Sequence, residues 1–145
     1  MSWRTIEEAE ASFRPIERML DAMLEESRAN LVNEGILLRE DSNRTGFGGH
    51  SYPAFIWSFH FEKRQPYGSE IKRATAQLTY RETLAEGEPQ KMEVTSYAEI
   101  FQTGKQSRFS EGRKMLYPID RFLSMRMDLI IIDCIAEAER ILSKN

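Results

Sequence analysis

The chain has 145 residues, a length that suits one domain able to bury a core without disulfides or a metal. Hydrophobic residues make up 41% and charged residues 30%, with 8 Gly and 5 Pro, which excludes disordered, collagen-like and low-complexity classes. A net charge of −3 argues against general nucleic-acid binding, which depends on neutralising phosphates.

That charge is unevenly spread. Residues 1–40 carry five basic and nine acidic side chains, residues 41–118 eleven and nine, and residues 119–145 four and five. The middle of the chain is therefore mildly basic between acidic flanks. Cys134 is the one cysteine, so the chain cannot form an internal disulfide or a cysteine-based zinc site. The first eight residues lack the apolar core of a signal peptide, and Leu129–Ile132, the longest apolar run, is far below the ~20 residues of a membrane span. The expectation is a cytoplasmic protein with no membrane association.

Thr5 with Glu8 reads as a capping box opening a helix, and Ile6, Ala9, Phe13, Ile16, Leu20, Met23, Leu24 and Leu31 recur on one side of it. Gly35 is a natural stop, so a helix is predicted over about 5–34. Pro15 either kinks this helix or opens a second one capped by Ser12. Ile36–Leu38 reads as a short strand, and Asp41 to Gly49 as a polar, glycine-containing loop. From Ser51 the period becomes two: Phe55, Trp57, Phe59 and Phe61 alternate with Ile56, Ser58, His60 and Glu62.

After a turn at Gln65–Gly68, residues 71–84 place Ala74, Ala76, Leu78, Tyr80 and Leu84 on one face and Arg73, Thr75, Gln77, Thr79 and Arg81 on the other. A turn at 85–89 leads to Met92, Val94, Ala98 and Ile100, alternating with Glu93, Thr95, Tyr97 and Glu99. Gly104-Lys105 closes a hairpin into a last strand within 106–117. Such short connections require antiparallel pairing. Pro118 then opens a long helix with Asp120 in its first turn, and Leu123, Met127, Ile130, Ile131, Cys134, Ala138, Ile141 and Leu142 form its apolar side. Ile132 and Ile135 widen that side, which predicts deep burial or sharing with a second subunit. The predicted fold is one α+β domain: an antiparallel meander of four to five strands with long N-terminal and C-terminal helices packed on one face.

Several groups of residues invite a functional reading. Arg44-Thr45-Gly46-Phe47-Gly48-Gly49-His50 offers backbone N–H groups and two basic side chains to a phosphate. It lacks a Walker lysine, however, and precedes a strand where a nucleotide fingerprint precedes a helix, so an ordinary connecting loop explains it as well. His60 lies on the polar face with Ser58 and Glu62 two residues away, about 7 Å along the strand, so proton-transfer partners must come from Glu93, Tyr97 or Glu99 next door. Arg73, Gln77, Arg81 and Tyr97 share that face and make it the favoured place for a polar ligand. The competing explanation is the wet side of an antiparallel sheet. Lys105, Arg108, Arg113 and Lys114 form the densest basic stretch, which reads as a contact for an acidic partner or as edge protection. Cys134, among isoleucines, reads as a small buried hydrophobe, and the helical methionines as core or plastic interface.

No metal or other cofactor is expected. The functional expectation is a non-enzymatic protein-binding or adaptor domain, homodimeric through the broad apolar side of the last helix or joined to a protein partner. The alternative is a small-molecule-binding domain or enzyme using the sheet face around His60, Arg73, Arg81 and Tyr97, with Arg44 and His50 nearby.

Overall fold

In the computed structural model, which describes residues 2–49, 52–67, 70–87, 90–102, 104 and 107–144, helix α1 (Ile6–Asn33) runs unbroken through Pro15. The capping box is formed: Thr5 Oγ1 accepts from the Glu8 amide, and the Thr5 amide donates to the Glu8 carboxylate, both at 3.1 Å. Pro15 deprives the Ala11 carbonyl of its partner, but both residues are exposed, so water can serve that carbonyl and the helix continues. Gly35, at φ 76°, ends it.

Strands β3 (Ala54–Tyr67), β4 (Glu70–Thr83), β5 (Lys91–Gln102) and β6 (Arg108–Pro118) form the antiparallel meander that the alternating pattern predicts. Two short strands, β1 (Leu37–Leu38) and β2 (Arg44–Gly48), both pair with the outer edge of β3, which brings the sheet to six strands. The segment read from sequence as a loop over 41–49 is thus mostly strand. Phe47 explains the difference: its ring, still partly exposed, packs 4.7 Å from that of Phe55 and anchors a segment whose glycines suggested a turn. Of the three glycines there, only Gly49 has a positive φ.

Trp57, Phe55 and Phe61 on β3, Ala76, Leu78 and Tyr80 on β4, and Met92, Val94 and Ala98 on β5 make the floor of the core. Phe13 of α1 stacks on Phe55 at 5.4 Å, and the Trp57 indole donates to Asp21 at 2.9 Å, so the buried indole N–H is satisfied where α1 crosses the sheet. The C-terminal helix is in two pieces, α2 (Ile119–Phe122) and α3 (Met127–Ser143), where the sequence suggested one helix from Pro118. Buried Phe122 anchors α2, and Asp128 accepts the free Leu129 amide at 2.9 Å, giving α3 its own start. α3 lies beside α1 on the same face of the sheet, with Ile131, Ile135 and Ala138 completely enclosed. Most of the apolar width of the last helix is therefore covered within one chain, with Ile132 half-buried and Leu129 left 47% exposed.

Candidate functional site

The strand register places the predicted polar residues on the sheet face opposite the helices. Across β2 to β5, Arg44 stands beside Ser58 and Thr79, His60 beside Gln77 and Thr95, Glu62 beside Thr75 and Tyr97, and Arg64 beside Arg73 and Glu99. Thus Arg44, His60, Arg73, Gln77, Arg81 and Tyr97 share one surface, and His50 lies outside the described residues. No helix packs on this face among the described residues, yet Ser58, Thr75, Thr79 and Thr95 are buried. Short hydroxyls on a pleated sheet are shielded by the long side chains around them. Ser58 and Thr79 bond to each other at 3.1 Å, while the Thr75 hydroxyl has no partner.

Most charge on the face is neutralised locally. Arg73 bridges Glu62 at 3.3 Å and Glu99 at 2.6 Å and lies over the Phe101 ring, while Arg64 and Arg39 also approach Glu62, at 3.1 and 3.8 Å. Lys114 engages Glu93 at 3.3 Å. The carboxylates that might have served His60 are therefore committed to cations, and Arg73 acts as a strut between strands. Tyr97 packs on Phe109 at 5.1 Å, and burial, followed by the Glu111 charge, pushes its phenol up.

Arg44, Arg81 and Lys91 differ. None has an ion-pair partner among the described residues. Arg81 and Lys91 flank the Tyr80–Met92 pair on neighbouring strands, and Arg44 stands one strand beyond β3. Arg81 and Lys91 stand near the end of the face where β4 finishes, and Arg44, which opens β2, stands one residue pair further in.

The N-terminal segment closes the same end. Trp3 bridges to Ala85, and the Arg4 amide donates to the Leu84 carbonyl at 2.7 Å. Fully buried Glu82 holds this corner together: its carboxylate takes Arg4 at 3.2 Å, Gln90 at 2.7 Å and the Tyr80 hydroxyl at 2.6 Å. Because Gly48 pairs with Ala54 and Ala54 with Thr83, the adjoining ends of β2 and β3 lie at the same end of the sheet as this corner. Trp3, Ile6, Phe47 and Tyr52 are left 52%, 48%, 44% and 74% exposed in the segments that converge on this end.

Sequence reasoning passed over Trp3 and Tyr52, and placed Ile6 on the apolar side of the first helix and Phe47 in a loop, because exposure is set by tertiary context. One signal was available for Trp3: it precedes the Thr5 cap, so the helix itself cannot bury it. Among the described residues no cluster of His, Cys, Asp and Glu could hold a metal, and no helix is long and apolar enough to cross a membrane. No protein-family model matches the chain, and no curated protein or solved structure shows significant similarity to it.

Proposed function

We propose that this chain is a cytoplasmic, non-enzymatic protein-binding domain of adaptor type, and that it docks its partner at the Trp3–Tyr52 end of the sheet. The observation that carries this reading is the exposure of Trp3, Phe47 and Tyr52 in segments at one end of the sheet, with Arg44 and Arg81, which have no ion-pair partner among the described residues, on the open face of β2 and β4. Trp, Tyr and Arg are the side chains that dominate binding energy at protein interfaces, because each combines a large contact area with a polar or charged group. Self-association through the last helix has less support, since α1 and the sheet cover its apolar side. The small-molecule reading around His60 and Tyr97 also has less support, because Arg73 is committed to Glu62 and Glu99.

The test is photo-crosslinking in the host cell from probes placed at Trp3 and Tyr52, with a probe at exposed Val32, on the far turn of α1, as control. A discrete protein adduct from positions 3 and 52 but not 32 is expected. Adducts from neither position, or equally from all three, would overturn the reading.

A further inference from the structure

We propose that the partner presents an acidic, extended segment to Arg44, Arg81 and Lys91; this rests on the protein-binding reading and specifies the partner's chemistry. Cations elsewhere on the open face, Arg64, Arg73 and Lys114, have carboxylates of this chain within 3.3 Å. Arg44, Arg81 and Lys91 have no ion-pair partner among the described residues, so the cations of the face that those residues leave without a carboxylate lie toward one end, where Glu86 lines the same cavity as Arg81. Charge that the chain leaves unmatched at one point of an otherwise balanced surface calls for matching charge on whatever docks there.

Spacing favours carboxylates on an extended segment. Arg44 on β2 and Arg81 on β4 are two strands apart, roughly 10 Å across the sheet at about 4.8 Å per strand, and one strand residue pair out of line. Carboxylates on alternate residues of an extended chain recur about every 7 Å, within reach of two long guanidinium arms that each accept a carboxylate in a fork. A long polyanion fits poorly, because the cations further along the same face, Arg73 and Lys114, are already bound to Glu99 and Glu93 and leave a continuous phosphate backbone little charge to neutralise.

Between the two arginines lie Gly46 and Ile56, paired across β2 and β3. Gly46 has no positive φ, and a Cβ built there meets nothing within 4 Å. Neither backbone conformation nor packing therefore demands glycine, and its missing side chain leaves the half-buried Ile56 open to a docked chain. That freedom also supplies a clean probe, since Gly46→Val fills the path of the segment without touching the fold.

The experiment measures fluorescence anisotropy of a labelled peptide of alternating Glu and Val residues, with an alternating Lys and Val peptide and an oligothymidylate as controls. Saturable binding of the acidic peptide that weakens with salt is expected. Arg44→Ala and Arg81→Ala should each weaken it about tenfold, the scale of one charge-assisted contact. Gly46→Val should abolish it while the unfolding midpoint stays unchanged. Undiminished binding by both arginine variants, or stronger binding of the oligothymidylate, would overturn the assignment; should Gly46→Val misfold, the arginine variants decide alone. If the acidic peptide fails to bind while Trp3 and Tyr52 still crosslink a protein, the acidic segment is wrong and the protein-binding reading stands. Loss of the crosslinks as well overturns both.

Discussion

The side-chain amide of Asn30, near the end of α1, donates to Asp128, in the first turn of α3, at 2.8 Å, joining positions 98 residues apart. Asp128 also receives Arg126 at 2.6 Å and the Leu129 amide at 2.9 Å. One carboxylate thus starts α3 and ties it to α1.

This arrangement makes stability acid-sensitive. Burial alone would raise the Asp128 carboxyl, but Arg126, Asn30 and the Leu129 amide outweigh it and hold the group below its ordinary 3.8. A depressed folded value means that the contribution is complete above the unfolded value and is lost as pH falls through the folded one. Asp128→Asn should therefore flatten the loss of stability below about pH 4, and Asn30→Ala should cost about 1 kcal/mol at neutral pH. Urea titrations at pH 3 and pH 7 measure both.

Glu82 is the most exposed to disruption. Removing its buried carboxylate strands Arg4, Gln90 and the Tyr80 hydroxyl, so Glu82→Ala should destabilise by about 3–5 kcal/mol. Burial first, and then the Glu82 carboxylate, hold the Tyr80 phenol far above its ordinary 10. A raised value gives a contribution that is full below the unfolded pKa and falls as pH climbs past it. Thermal melts from pH 8 to 11 should show a decline above about pH 10 that is smaller in Tyr80→Phe.

Gly112 sits in a β-bulge where β6 shifts register against Thr95 and Tyr97. A Cβ there would collide with the Ser96 hydroxyl and come within 3.0 Å of Ile141 Cδ1 and 3.2 Å of the Ser96 carbonyl. Gly112→Ala should cost about 1–3 kcal/mol, and Ser96→Gly in the same chain should recover part of it. Gly46→Ala, with open space around it, should leave the denaturation midpoint within about 0.5 kcal/mol.

Burial pushes the Cys134 thiol up to about 12, with Arg113 the main opposing influence. The reactive thiolate is then scarce at neutral pH. Alkylation by iodoacetamide at pH 8 should proceed only as fast as the chain opens, and should accelerate together with the loss of near-ultraviolet signal in urea. Rapid labelling of folded protein would show that α3 does not enclose this thiol.

Local regularity determined much of the architecture. Thr5 with Glu8 marked the start of α1, and the alternation from Phe55 to Phe61 and from Arg73 to Arg81 sorted every side chain to its face before any partner strand was known. A capping box and a two-residue period are properties of neighbouring residues, so the sequence carries them directly. The same alternation brought His60, Arg73, Gln77, Arg81 and Tyr97 to one surface, whereas Arg44, read as part of a loop, joined them only through β2.

Tertiary structure decided what those residues are free to do. Whether Arg73 meets carboxylates and Arg81 none among the described residues depends on which strands are adjacent and in what register, a matter of contacts many residues apart. Phe47 could turn a glycine-rich stretch into a strand only because Phe55 was there to receive it, and Ile135 is enclosed only because the sheet and α1 pack around α3. Exposure, pairing and burial are determined by the assembled chain, since each requires a second segment to be in place.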